Sequence, residues 1–466
     1  MAQSKDDSLA NDLDWSLVCY AGTEEIGEVA VIHHDGESGK TTVKTLDVES
    51  QGGTTAVQGG TSVARGRMPE ATAPVFLNLT SDFQVALLDE ATKKITLQKK
   101  FPAHARPDHM YRYPDQAQLW LGNDGDKATG ADPENCGTGG SSVTVIQNDA
   151  AGAPQKIVRT LCVGRGHHVV AFTYPTPSAP KIPRRAFVSN LMSGDISVMG
   201  NDPEDAVTYL KVLATIDLQD ATREKKVDAG FANGAAPHGM AYSELTGKVY
   251  NLNNGYGTVV VMDPLTNTIE DSIYVGLSSN ALLSPNGRFI ICKGADRATQ
   301  PEHVIGKLTV LDVVSKAVFE TIDLPDIYPS VYRFNRDGSK LYLTTAATGK
   351  GAQRSNLKKD ILLVFDVSSL VAPGILPPAT LVHPCTSVAL RLIKEIKVGV
   401  AECGRRPIGF VEQGGKFARI FISNPTDGTV SVLDGENERV LETIKLTDKP
   451  VPALHFYMEE WRLLGA

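Results

Sequence analysis

One unit is written along this chain again and again, and that repetition limits the fold more than any other feature of its 466 residues. The stretches "KVYNLNNGYGTVVVMDPLTNTIEDSIYVG" from 248, "FIICKGAD" running on to "GKLTVLDVVSKAVFETIDLP" from 289, and "RIFISNPTDGTVSVLDGENERVLETIKLTD" from 419 are three copies of it. Each reads as strand, turn, strand, turn, strand, with apolar residues at the two-residue period of a half-buried antiparallel sheet and an Asp or Asn at the strand end. Weaker copies start at 340, 185, 118, 74 and 15, which brings the total to eight. Copies at roughly 40 to 70 residue spacing, each with about four short strands, predict an all-β chain folded as a β-propeller of four-stranded antiparallel blades.

The copy from 15 lacks an innermost strand, while "VPALHFYMEE" at 451–460 is a strand with no blade of its own. The C-terminal strand is therefore expected to complete the first blade and close the ring, which removes an exposed edge. Eight blades follow if the copy from 15 is a blade, and seven if it decorates the outside. The expected organisation is a tail at 1–14, one propeller domain at 15–461 and a short tail at 462–466. Gly- and Pro-rich insertions at 125–140, 174–185, 219–234 and 371–388 read as surface loops, which either rim a binding mouth or are tolerated spacers.

The 46 basic and 54 acidic residues give a formal charge of −8 with no basic run, which argues against nucleic acid or an anionic membrane as partner. No stretch approaches the roughly 20 apolar residues of a transmembrane helix. The N-terminal "MAQSKDDSLANDLDWS" has no signal-peptide core. The expected location is periplasmic or extracellular if this is a mature chain, and cytoplasmic if its N-terminus is native. None of the six cysteines lies in a CxxC pattern. Cys136 with Cys162, and Cys385 with Cys403, form either local disulfides in an oxidising compartment or small loop and core thiols.

Counting back from the turn "SPNGR" at 284–288 and its analogues aligns the innermost strands. His238 of "PHGMAYS" then matches His168 of "HVVAFTYP", His109 of "HMYRYPDQ" and His455 of "HFYMEE", and the same position holds Ser279, Ser330 and Pro407 in other copies. Residues far apart in sequence converge near the axis of a propeller, and imidazole is the commonest protein metal ligand, so these four are the candidate ligands of one ion. Asp108, His167, Arg106, Arg165 and Arg406 are the candidates for orienting those ligands or holding an anionic substrate, with Arg405 nearby. His33, His34, His104, His303 and His383 read as solvated residues of outer strands and loops. Clustered imidazoles suit copper or zinc ahead of magnesium or calcium.

The units "GTVVVMDPLTNTIEDSIYVG" (257–276) and "GTVSVLDGENERVLETIKL" (428–446) resemble the YVTN family of propeller repeats, a likeness that implies the fold and little of the chemistry. The inner-strand histidines resemble those of the copper propellers of nitrous oxide reductase and thiocyanate dehydrogenase. That resemblance implies a copper-dependent oxidoreductase acting on a small anion, with an electron acceptor as partner. It rests on His109, His168, His238 and His455 alone, and the chain departs from those families at Ser279, Ser330 and Pro407. The alternative is a non-catalytic YVTN-type propeller binding a protein or surface. A third reading is a haem-binding propeller resembling the d1 domain of cytochrome cd1. Hydrolase signatures are missing: there is no GxSxG elbow and no HExxH, and "GESGKTT" at 36–42 is expected to be a hairpin turn, not a phosphate loop.

Overall fold

The structure is a computed structural model that describes residues 15–21, 28–47, 75–79, 84–89, 94–100, 107–113, 117–124, 136, 140–148, 154–223, 230–335, 337–348, 351–371, 389–402, 406–413, 416–448 and 454–457. The tails, most of the insertions at 125–140 and 371–388, and Cys385, Cys403, His104, His383, Arg106 and Arg405 lie outside them.

Among the described residues eight antiparallel sheets follow one another in chain order, seven of four strands and one, Val75–Leu79, Gln84–Asp89 and Lys94–Lys100, of three. In chain order the first sheet holds Trp15–Ala21, Glu28–Asp35 and Lys40–Asp47, and the three-stranded sheet is the second. The third runs from Pro107 to Val163, the fourth from His167 to Asp217 and the fifth from Pro237 to Tyr274. The sixth spans Asn280 to Pro325, the seventh Pro329 to Lys397 and the eighth Ile408 to Lys445. Leu454–Tyr457 joins the first sheet, where Val18 pairs with Tyr457 and Cys19 with Phe456. As expected, 36–42 forms a turn leading into Lys40–Asp47.

The packing explains the repeat. Thr258–Asp263, a third strand, is buried along its whole length, whereas the fourth strand Thr268–Tyr274 is mostly exposed. A middle strand has a neighbouring sheet on each face, and the outermost one meets water. Apolar clusters accordingly bridge successive sheets: Tyr250, Leu252 and Val261 pack with Leu283, Ile290 and Leu311, and Leu308 and Val310 pack with Leu341 and Leu363. Another cluster sets Phe421, Val430 and Val432 of the eighth sheet against Trp15, Leu17 and Ile32 of the first. Sheets stacked face to face in chain order are the arrangement of a β-propeller.

In four sheets the Asp that ends the third strand makes the turn after it. Asp263, Asp312, Asp366 and Asp434 each accept a backbone N–H from two residues on, at 2.8 to 3.0 Å. At Asp263, Asp312 and Asp434 these Asx turns reverse the chain into the fourth strand, completed by Asn267, Lys316 and Glu438 at positive φ, whereas Asp366 leads into the short helical turn Ser368–Leu370.

Candidate functional site

Strand register fixes which inner-strand residues are equivalent. Pro237 pairs with Asn253 and Met240 with Asn251, so one extra residue bulges between them, and His238 lies in that bulge. In the fourth sheet His167 pairs with Asn190 and Val170 with Val188, which places His168 in the same bulge. In the seventh, Pro329 pairs with Thr345 and Tyr332 with Leu343, which places Ser330 there. In the third, Pro107 pairs with Asn123 and His109 with Gly122, so the bulged residue is Asp108.

A hydroxyl braces the bulge. Ser189 Oγ accepts the N–H of Val169 at 2.9 Å, and Thr344 Oγ1 accepts that of Val331 at 3.1 Å. The corresponding hydroxyl of the eighth sheet, on the fully buried Ser423, has no partner because the residue across from it is Pro407, which has no N–H. Pro407 therefore matches Val169 and Val331, and Arg406 matches His168, His238 and Ser330.

This register revises the alignment read from the turns. His168 and His238 share one position, on inner strands of consecutive sheets. His109 lies one residue further along its strand, and Asp108 takes the shared place. His455 pairs with Tyr20, one step before Phe456, whose partner Cys19 matches Asn253, so it falls short of that place. In the sixth sheet Ala281 pairs with Cys292 as Met240 does with Asn251, so Ser279 holds the position of His238, as the turns indicate. A bulge is invisible to ungapped counting, and one residue of slip changes the face of a strand.

Arg406 is fully buried. Its Nε donates to Ser423 O at 2.9 Å, its Nη1 to Lys359 O at 3.2 Å and Thr345 O at 3.4 Å, and its Nη2 to Gly399 O and to Asn424 Oδ1. A guanidinium spent on those five acceptors ties the seventh sheet to the eighth and is not presented to a substrate, contrary to the role expected from sequence. Arg165 is exposed and donates to Gly230 O at 3.3 Å.

His238 is half-buried with its Nδ1 closed off from solvent. Beside it Gly239, at φ +101°, lets the fifth sheet approach the sixth: a Cβ there would stand 2.8 Å from Asn280 Oδ1. The side chains of Asp108, His109, His167, His168 and His455 lie outside the described residues. Among the described residues no three His, Cys, Asp or Glu side chains gather around one point. A groove of about 720 Å³ lies elsewhere, between Lys397, Asp427, Thr443 and Lys445 at the outer part of the eighth sheet.

Two expected solvated histidines have definite partners. His34 is buried, stacked on Trp15 at 5.1 Å and bonded through Nδ1 to Thr41 Oγ1 at 2.9 Å, while the Thr41 hydroxyl donates to Glu442 of the eighth sheet. His303, on a loop and partly exposed, bonds Asp326 at 2.8 Å. His33 is exposed as expected. Cys136 and Cys162 form a disulfide. Cys19 and Cys292 are free and buried, and burial pushes the Cys292 thiol up to about 12, which keeps it protonated.

No protein-family model matches the chain. No curated protein matches it either. Among solved structures it is similar to the dihydro-heme d1 dehydrogenase NirN in complex with DHE, at 12% identity over 97% of this chain and 76% of that one, with a TM-score of 0.56. Apo AztD from Citrobacter koseri gives 14% identity over 96% and 98% of the two chains and a TM-score of 0.49. Hydrazine synthase of Kuenenia stuttgartiensis gives 14% over 75% and 88%, with a TM-score of 0.47. At these identities the likeness is one of fold, and it places the chain among the β-propellers.

Proposed function

We propose that this protein is an eight-bladed propeller, closed by Leu454–Tyr457, that binds a divalent metal ion at the inner-strand ends of its third, fourth and fifth sheets. The observation that carries this reading is the register, which sets Asp108, His168 and His238 at one position on three consecutive inner strands. One carboxylate and two imidazoles make a mixed oxygen and nitrogen donor set that suits zinc or copper and leaves coordination positions open. His109, His167 and His455, one or two residues away, are the further candidates for ligands or their supports.

With copper bound, such a site supplies redox chemistry to a small anionic substrate, and the exposed Arg165, just before His167, is the cation best placed to attract one. The Cys136–Cys162 disulfide supports a periplasmic or extracellular setting, because cytosolic thiols are kept reduced. A non-catalytic YVTN-type propeller that binds a protein or surface needs no metal. A tetrapyrrole is the second reading for a ligand, favoured by the fold likeness to NirN, a structure described as a complex with DHE.

The deciding experiment is elemental analysis and a visible spectrum of protein from its own source, followed by zinc and copper titration of the metal-free chain. Stoichiometric zinc or copper lost in His168→Ala and His238→Ala is the expected outcome. A Soret band selects the tetrapyrrole, and protein with neither metal nor pigment that binds neither ion sinks the metal site.

A further inference from the structure

The second strands of the third, fourth and eighth sheets end at matching residues, Asn123, Asn190 and Asn424, each at most 1% exposed. Each amide directs its NH2 group across the sheet to the third strand. Asn123 Nδ2 donates to Ser142 Oγ at 3.1 Å and Thr144 Oγ1 at 2.9 Å, and Asn424 Nδ2 to Thr429 Oγ1 at 3.0 Å and Ser431 Oγ at 2.9 Å. Asn190 Nδ2 donates to Ser197 Oγ at 2.9 Å and to the Asp195 carboxylate, a group that cannot donate while ionised. These contacts settle which end of the Asn190 amide is nitrogen and leave Oδ1 on its other end. Glycines press on two of these side chains alike: a Cβ at Gly164 would stand 2.7 Å from Asn190, and one at Gly399 2.5 Å from Asn424.

The three oxygens differ in what they receive. Asn424 Oδ1 accepts a hydrogen bond from Arg406. Asn123 Oδ1 and Asn190 Oδ1 are buried and have no partner. A buried amide oxygen left without a donor costs about 1–3 kcal/mol, so it is kept where something is to fill it. In the eighth sheet the filling group comes from the bulge position of the inner strand. In the fourth sheet that position is His168, which carries a ring N–H, and in the third it is Asp108, which does not.

We infer that Asn190 is a positioning residue of the metal site: its Oδ1 accepts one ring N–H of His168 and so turns the lone pair of the other ring nitrogen toward the ion. A metal-bound imidazole needs such an acceptor to fix its tautomer and orientation. The inference rests on the metal reading above, and it predicts that the pair forms before zinc is added.

The test uses the full chain, with zinc(II) alone as the probe in calorimetric titration, and nitrogen-detected NMR of the histidine side chains before zinc is added. Asn190→Leu is expected to weaken zinc binding about 10–100-fold and to release His168 from its single tautomer. Ser197→Ala, which removes a contact of the amide nitrogen and keeps the oxygen, is expected to change neither. If Asn190→Leu does not fold, the spectrum of the unaltered protein decides: a His168 ring in one hydrogen-bonded tautomer supports the pair, and a mixture of tautomers overturns it. Undiminished zinc binding in His168→Ala would bring down the metal reading itself. Weakened binding in His168→Ala together with unchanged affinity and tautomer in Asn190→Leu would overturn this inference alone.

Discussion

The fourth and eighth sheets present the same backbone and fill one position in opposite ways. In both, a buried Asn closes the second strand, a glycine lies against it, and a hydroxyl stands opposite the start of the inner strand. The eighth sheet places Arg406 there and consumes it in bonds to backbone carbonyls and Asn424. The fourth places His168 there and leaves the oxygen of Asn190 open. A single position of the repeat thus serves as a rivet in one sheet and as a candidate ligand in another. The residue that follows decides part of this: Pro407 removes the N–H that braces the bulge, and Val169 keeps it.

Substitutions at the two positions should therefore separate stability from binding. Arg406→Met is expected to cost about 3 kcal/mol or more in denaturant unfolding, since it strands several buried acceptors at once. His168→Ala and His238→Ala are expected to cost about 1 kcal/mol or less while abolishing stoichiometric zinc or copper binding. Equal losses of stability at Arg406 and His168 would erase the contrast.

A second comparison separates the register from ungapped counting. Asp108→Ala is expected to weaken metal binding by about 100-fold or more, beyond the loss for a supporting residue, and His109→Ala by about tenfold or less. The reverse order, read by the same titration, would restore His109 to the ligand set.

Acid should also act on one sheet and not on the other. A free imidazole takes up a proton below about pH 6.5, and a proton on either ring of the His168 and His238 pair must leave before the ion binds. Metal affinity is then constant above that pH and falls by up to about 100-fold per unit below it. The Arg406 contacts do not titrate in that range, so unfolding curves of the metal-free protein should not follow this slope. A slope of zero in the binding curves between pH 5 and 6.5 would remove both histidines from the site.

The smallest effect concerns the brace. Ser189→Ala is expected to cost about 1 kcal/mol, the worth of one hydrogen bond, and Ser423→Ala close to nothing, because its hydroxyl faces a proline. Matching losses in thermal unfolding would show that the two hydroxyls do the same job.

Much of the fold can be read from the sequence. Period-two alternation and the turn-forming Asp at strand ends locate most third and fourth strands, because both signals are local. The same alternation holds the clue to His34: it lies two residues after Ile32, on the same buried face, and directly opposite Trp15. The candidate site is harder to read, since it depends on bulges that leave no mark in composition. Only the missing N–H of Pro407 hinted that Arg406, one step earlier, was the match for His238. A strand-end Asn is common in these repeats, so sequence does not distinguish Asn190; what does is an unfilled oxygen beside a position that holds a histidine.

The pairing of Val18 with Tyr457 has a bearing on how the molecule is made. As the chain leaves the ribosome, sheets three to eight can each fold from contiguous sequence, whereas the sheet built from the earliest residues stays one strand short until 454–457 emerge. Such a distant contact forms late and slowly, because the loop it closes spans nearly the whole chain. Until then Trp15–Ala21 offers an unpaired edge to any neighbouring chain. An unfinished molecule is thus most exposed to misassembly at the edge of Trp15–Ala21, and shielding that strand is the task its synthesis sets for the cell.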